Sequence, residues 1–235
     1  MDSVNTNSSA SGIKKPISGQ MISRVVDLQI INDRRNELYT QRNISVKANH
    51  KLKEKMDVKR ERLGVEEAFN RLATVIDPTD LTLCNTSQYI HSLQMFNMLK
   101  TENASDSSLL GALLHDIGKI KIFNNELSIF EIGGSKEPIF DSTGQFLEWQ
   151  ITHDDIPVQF LTDNGHTAEA FLIGSHSIHP SNWHLINGMT PELLEQFKQF
   201  VRADSESKSS TVFPDIAFQE AVEFVTDRIG KYIVL

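Results

Sequence analysis

A chain of 235 residues with 39% hydrophobic side chains can bury one sizeable core, so a single domain is the simplest organisation. Asp and Glu outnumber Lys and Arg by 31 to 23, a formal charge of −8, which leaves no electrostatic case for wrapping nucleic acid or coating an anionic membrane and favours a small-molecule substrate. The one cysteine, Cys84, excludes an internal disulfide framework and a cysteine-based zinc cluster, and with neither a span-length apolar stretch nor a signal-peptide pattern a soluble, cytoplasmic protein is expected.

Residues 1–20 are rich in Ser, Asn and Gly and lack apolar periodicity; they are expected to form a flexible tail ahead of one domain spanning 21–235. Apolar residues at three- and four-residue spacing predict helices within 65–76, 89–99, 109–114 and 191–201. Asp106-Ser107-Ser108 can cap the helix that leads into His115, and Gly118 can end it. Between Asn124 and Gln145 the periodicity fails and Gly133-Gly134, Pro138 and Gly144 appear, which predicts an irregular excursion with a short hairpin, a kind of loop that often lines a pocket. Ile216, Phe218, Ala221, Val222, Val225 and Ile229 suit a closing helix within 214–233. The expected fold is all-α, a helical bundle carrying that excursion.

The chemistry concentrates at Leu113-Leu114-His115-Asp116-Ile117-Gly118-Lys119, where an imidazole and a carboxylate stand side by side at the end of an apolar helix. Such a pair can serve two metal ions at once, because the two oxygens of one carboxylate can bridge them. Besides His50 and this pair, six more of the eight histidines stand at 91, 153, 166, 176, 179 and 184. His91 precedes the His115 helix, and His153 and His176 bracket a helix-turn-helix stretch, so four imidazoles could converge from different helices, with Asp204 as a late carboxylate. Taken singly, each histidine is more often a packed or surface residue than a ligand, and His50 and His166 keep that reading. Lys119 taken alone reads as a solvated lysine at a helix end.

The residues resemble the HD-domain metalloproteins, whose signature is met by His91, then His115-Asp116, then Asp204. Within that group the chain resembles the myo-inositol oxygenase family from about Arg42 onward. The matching segments are His91-Ser92-Leu93-Gln94, then Leu114-His115-Asp116-Ile117-Gly118-Lys119, then Trp149 followed by His153-Asp154-Asp155. Glu169-Ala170-Phe171 ahead of His176-Ser177-Ile178-His179-Pro180 and Trp183-His184 forms the fourth. Phe200-Val201-Arg202-Ala203-Asp204, with Lys208 and Pro214-Asp215, forms the last.

The resemblance implies an HD-domain helical bundle with a mixed-valent Fe(II)/Fe(III) pair and dioxygen as co-substrate. His91, His115 and Asp204 would hold the first iron, His153 and His176 the second, and Asp116 would bridge them. It also implies catalytic roles for Asp116 and Lys119, and substrate contacts from Asp77, Lys119, Gly133 and Ser177. The interval from Asp116 to His153 is shorter than in inositol oxygenases, and Gly133-Gly134 stands where they carry Gly-Asp. The expected activity is therefore oxidative cleavage of a small hydroxylated substrate, an inositol-like polyol or a related molecule such as a phosphonate. The sequence sets no oligomeric state, a monomer being the simplest expectation. The alternative is an HD-type metal-dependent phosphohydrolase, disfavoured because the chain has neither the His-His pair nor the Gly-Tyr-Pro signature of the cyclic-dinucleotide enzymes. A third reading, a degenerate binding module, is weakened by the presence of all six candidate ligands.

Overall fold

The computed structural model describes residues 45–77, 80, 83, 86–124, 126–209, 211, 212, 214 and 216–235. The expected tail at 1–20, Arg42, Cys84 and Asp215 lie outside the described residues. Helix α1 (Val46–Val58) starts at Ser45, whose hydroxyl accepts from the Ala48 amide. A short strand β1 (Arg62–Gly64) leads into α2 (Val65–Leu72), which buries Val65, Ala68, Phe69 and Leu72 as one stripe. The helical pattern in the sequence runs on to Ile76, but α2 stops at Leu72 and Ile76 is exposed. The chain leaves the helix there, and Asp77 points back into the protein as a buried carboxylate.

Helix α3 (Gln88–Thr101) is capped by Ser87 and is buried nearly all round, with polar Gln88, His91, Ser92 and Gln94 inside together with Leu93, Met95, Phe96 and Leu99. Helix α4 (Asp106–Leu114) takes its cap from Ser105, which accepts from the Ser108 amide at 3.1 Å, one residue ahead of the predicted cap. Gly111 on α4 admits Phe200 of α9 (Pro191–Glu206), since a Cβ there would lie 2.8 Å from the Phe200 ring. After α4 come α5 (Lys119–Phe123) and α6 (Ile129–Ile132), then the predicted hairpin as β2 (Pro138–Phe140) and β3 (Phe146–Trp149), paired antiparallel. Asp141 Oδ1 accepts from the amides of Thr143 and Gln145 and shapes its turn.

A 3₁₀ turn at His153–Asp155 precedes α7 (Val158–Asp163) and α8 (Thr167–Ser175), the helix-turn-helix bracketed by His153 and His176. A second 3₁₀ turn (Pro180–Leu185) leads to α9, and α10 (Phe218–Ile229) closes the helical part at Gly230, whose φ of 84° an L side chain would resist. The closing helix is shorter than predicted because the chain then forms β4 (Tyr232–Val234), antiparallel to β1 with Leu63 opposite Ile233. The fold is all-α apart from these two small strand pairs. Its main core joins α2, α3, α4, α8, α9 and α10, and Leu52, Ile122, Leu127 and Ile132 make a smaller cluster beside it.

Tyr89 packs its ring between Phe69 and Phe218, at centroid distances of 5.3 and 5.4 Å, and its buried hydroxyl has no hydrogen-bond partner among the described residues. Burial pushes this phenol from its ordinary 10.0 up to about 12. The folded state thus holds the proton more tightly than the unfolded chain, so this contribution is complete below pH 10 and is lost as pH rises toward 12. Tyr89→Phe keeps the ring and removes an unsatisfied group, so thermal melting at neutral pH should show unchanged or higher stability, by up to about 1 kcal/mol, and a shallower loss above pH 10. A lower melting temperature at neutral pH would contradict this.

Candidate metal centre

The helix ends converge on one buried cluster. His91 comes from the first turn of α3, His115 caps the C-terminal end of α4, and Asp204 comes from the last turn of α9. Asp204 Oδ1 lies 2.8 Å from His91 Nε2 and 3.6 Å from His115 Nε2, and the His91 and His115 rings stand edge to face at 5.0 Å. On the other side, His153 opens its 3₁₀ turn and His176 follows α8, with the His176 ring 5.1 Å from that of His115 and 6.1 Å from that of His153. Asp116 stands between the two groups, its Oδ2 3.3 Å from His115 Nε2 and its Oδ1 3.3 Å from His153 Nε2. The structure thus brings together all six residues predicted as ligands. His50 and His184 are exposed and His166 is half-buried, all away from this cluster.

Three of the four imidazoles are set by the same device. His115 Nδ1 lies 2.9 Å from the Ala112 carbonyl, His176 Nδ1 2.7 Å from that of Ile173, and His153 Nδ1 3.2 Å from that of Ile132. Each Nδ1–H can donate to its carbonyl, which leaves Nε2 as the free donor atom toward the cluster. His115 Nε2 is fully buried and has no hydrogen-bond partner among the described residues. A buried nitrogen left facing two carboxylates is the environment a cation satisfies, and the mixed imidazole and carboxylate set fits a first-row transition metal such as iron. Among the described residues, three His and Asp groups have ligand atoms close enough to share an ion: His91 with His115 and Asp204, His115 with Asp116 and His176, and His153 with Asp154 and His176.

Electrostatics in the cluster follow from burial set against mutual attraction. Burial opposes a charge on His115, but Asp116 and Asp204 outweigh it and the imidazole is pushed up to about 10. Burial likewise opposes ionisation of Asp116, yet Lys119 and His115 hold its carboxyl well below the usual range. Asp204 is held low in the same way by His115, His91 and Lys208. At His91 and His176 burial prevails and lowers the imidazole. The cluster therefore keeps its carboxylates ionised and calls for positive charge.

Around this centre lie the residues expected to touch substrate. Lys119 is buried rather than solvated: its Nζ lies 3.2 Å from Asp77 Oδ2 and 3.1 Å from Asp116 Oδ2, and it donates to Gln88 Oε1 at 3.1 Å. Burial disfavours its charge, but Asp116, Asp77 and Asp80 raise its pKa above the ordinary lysine value. Lys208 Nζ lies 2.9 Å from Asp80 Oδ2 and 3.8 Å from Asp204 Oδ1. Gln94 of α3 donates to the carbonyls of Ser209 and Val212, 2.6 Å each, and so pins the segment that carries Lys208. Gly133 follows Ile132, the residue whose carbonyl meets His153, and Gly134 takes a φ of 73°. Ser177 donates its hydroxyl to Asp154.

Residue-by-residue reading of the sequence gave no role to Asp154, Asp80 or Gln88. For Asp154 a signal was available, since His153-Asp154 repeats the His-Asp order of His115-Asp116. Gly118 is also more than a helix stop. Its φ is −64°, an ordinary helical value, and a Cβ there would fall 2.1 Å from the His153 carbonyl oxygen. Gly118→Ala must therefore push the His153 turn away, at a cost of about 1–3 kcal/mol. Thermal melting should show that loss; a variant that melts like wild type would contradict the contact.

No curated protein matches the chain. Residues 32–140, just under half of its length, match the family model described as myo-inositol oxygenase. The matched stretch carries Asp77, His91, His115, Asp116, Lys119 and Gly133, and stops before His153, His176, Ser177 and Asp204. Among the described residues no helix is long and apolar enough to cross a membrane. Over residues 32–140, from before α1 through β2, the chain is myo-inositol oxygenase-like.

Proposed function

We propose that the protein is a dioxygen-dependent oxygenase that uses a pair of iron ions to cleave a small hydroxylated substrate. The observation that carries this reading is the Asp116 carboxylate, which presents one oxygen to His115 and the other to His153. His91, His115 and Asp204 would hold one ion and His153 and His176 the other, with Asp116 shared between them. When bound, a mixed-valent iron pair would supply Lewis acidity and the electrons for dioxygen activation. Enzymes of the matched family use a metal centre and dioxygen.

The chain's own residues supply binding and charge. Lys119 holds an ammonium beside Asp116, where it can stabilise a substrate oxygen that gains negative charge. Asp77 and Gln88 fix that ammonium from two further sides. His91, His115 and Asp154 have no exposed surface, so bulk water is excluded from the imidazole side of the centre. Around it, five carboxylates (Asp77, Asp80, Asp116, Asp154 and Asp204) face two ammonium groups, Lys119 and Lys208, and both lysines are already paired. Such a balance suits two metal cations with a hydroxylated substrate. Gly134, in place of a carboxylate, removes an acceptor for substrate hydroxyls, so the preferred substrate is expected to differ from myo-inositol in its hydroxyl pattern.

Protein purified without oxygen and loaded with Fe(II) should hold two irons per chain and consume dioxygen with a small hydroxylated compound from a panel of myo-inositol, related polyols and hydroxylated phosphonates. Lys119→Met should lower turnover in that assay by about 10²-fold. A two-metal protein inert to dioxygen but active on phosphoesters would contradict the reading.

A further inference from the structure

Beyond the six residues discussed above, a further buried carboxylate meets the imidazoles of the cluster. Asp154 has no exposed surface, and the two imidazoles on its sides belong to different elements, His153 in the same 3₁₀ turn and His176 after α8. Its Oδ1 lies 3.1 Å from His153 Nε2, yet it makes no hydrogen bond to any described residue. Its Oδ2 lies 3.9 Å from His176 Nδ1 and accepts the Ser177 hydroxyl.

An ordinary supporting carboxylate would accept from the ring N–H that points away from a metal. That position is closed to Asp154, because backbone carbonyls of Ile132 and Ile173 already take the Nδ1 atoms of His153 and His176. Asp154 instead meets His153 on its Nε2 side, where the neutral imidazole has a lone pair. A lone pair facing a carboxylate oxygen at 3.1 Å is repulsive unless a proton or a metal ion lies between them, and a proton would be marked by a hydrogen bond that Asp154 Oδ1 does not make to any described residue. Two atoms bound side by side to one ion at ~2.1 Å each stand about 3 Å apart. The spacing of Asp154 Oδ1 from His153 Nε2 therefore matches the 3.3 Å from Asp116 Oδ1 to the same nitrogen.

We infer that Asp154 is a carboxylate ligand of the second metal ion, beside His153, His176 and Asp116, with the Ser177 hydroxyl holding its other oxygen. This rests on the reading of the cluster as a two-metal centre. The second ion would then carry two carboxylates, and one coordination position fewer would be open to substrate. Ser177 serves the ligand rather than the substrate in this arrangement. Lys136 stabilises the same corner: its buried Nζ donates to Asp155 Oδ1 at 2.6 Å, and its backbone bridges to Ile178.

The test is anaerobic Fe(II) titration of the full chain with metal analysis, followed by Mössbauer spectroscopy. Wild type should bind two ions, whereas Asp154→Asn, which keeps the shape and can still accept from Ser177, should keep the first and bind the second at least 10-fold more weakly. Ser177→Ala should retain both ions and shift the spectrum of the second alone. Two ions at wild-type affinity with an unchanged spectrum in Asp154→Asn would overturn the assignment, as would a wild type that binds one ion. Should Asp154→Asn not fold, a crystal structure of iron-loaded wild type answers instead: Asp154 Oδ1 bonded to the second ion supports the inference, and a separation beyond hydrogen-bond length overturns it. A wild type that holds two ions but is inert to dioxygen, with the second ion lost in Asp154→Asn, supports the ligand and removes only the oxygenase reading.

Discussion

A group of ionised carboxylates buried in a helical core is the constraint on which the rest depends. Asp116 and Asp154 have little or no contact with solvent, and Asp204 is largely enclosed. Taking such charges out of water costs several kcal/mol each unless opposite charge and hydrogen bonds compensate. Lys119 and Lys208 supply part of that compensation. The residual negative charge, together with nitrogen atoms that have no partner among the described residues, makes the cluster suited to cations.

Precision comes from the backbone rather than from side-chain networks. The Ala112 and Ile173 carbonyls set His115 and His176 from the preceding helical turn, so two imidazoles of the cluster are oriented by helices α4 and α8 that are themselves buried in the main core. His153 is the exception, because its partner carbonyl belongs to Ile132, 21 residues earlier. The excursion between α5 and β3 therefore helps to place His153. Gly118 serves the same end by letting the His153 turn approach the His115–Asp116 turn without a side chain between them. The His91, His115 and Asp204 side of the cluster thus depends on the core helices, and the His153 and His176 side depends also on loops.

Much of this was legible in the sequence. Apolar periodicity located the helices at 89–99, 109–114 and 191–201, and the order of histidines around His115-Asp116 located the cluster, since helices that share one core bring their ends together. What stayed hidden depends on contacts far along the chain. Strands β1 and β4 are three residues each and pair across the length of the described chain, too short for any alternation to register. Lys119 reads locally as a helix-end lysine, and only the approach of Asp77 and Gln88 buries it. Asp154 has a local signal in its His-Asp order, but its importance lies in which side of His153 it meets, and that requires the fold.

The central claim is that Asp116 spans two ion positions. Anomalous diffraction at the iron edge from a crystal of iron-loaded protein tests it most directly. The account predicts two peaks, one against His91, His115 and Asp204 and one against His153 and His176, with a different oxygen of Asp116 toward each. A single peak, or two peaks that Asp116 does not join, would contradict it.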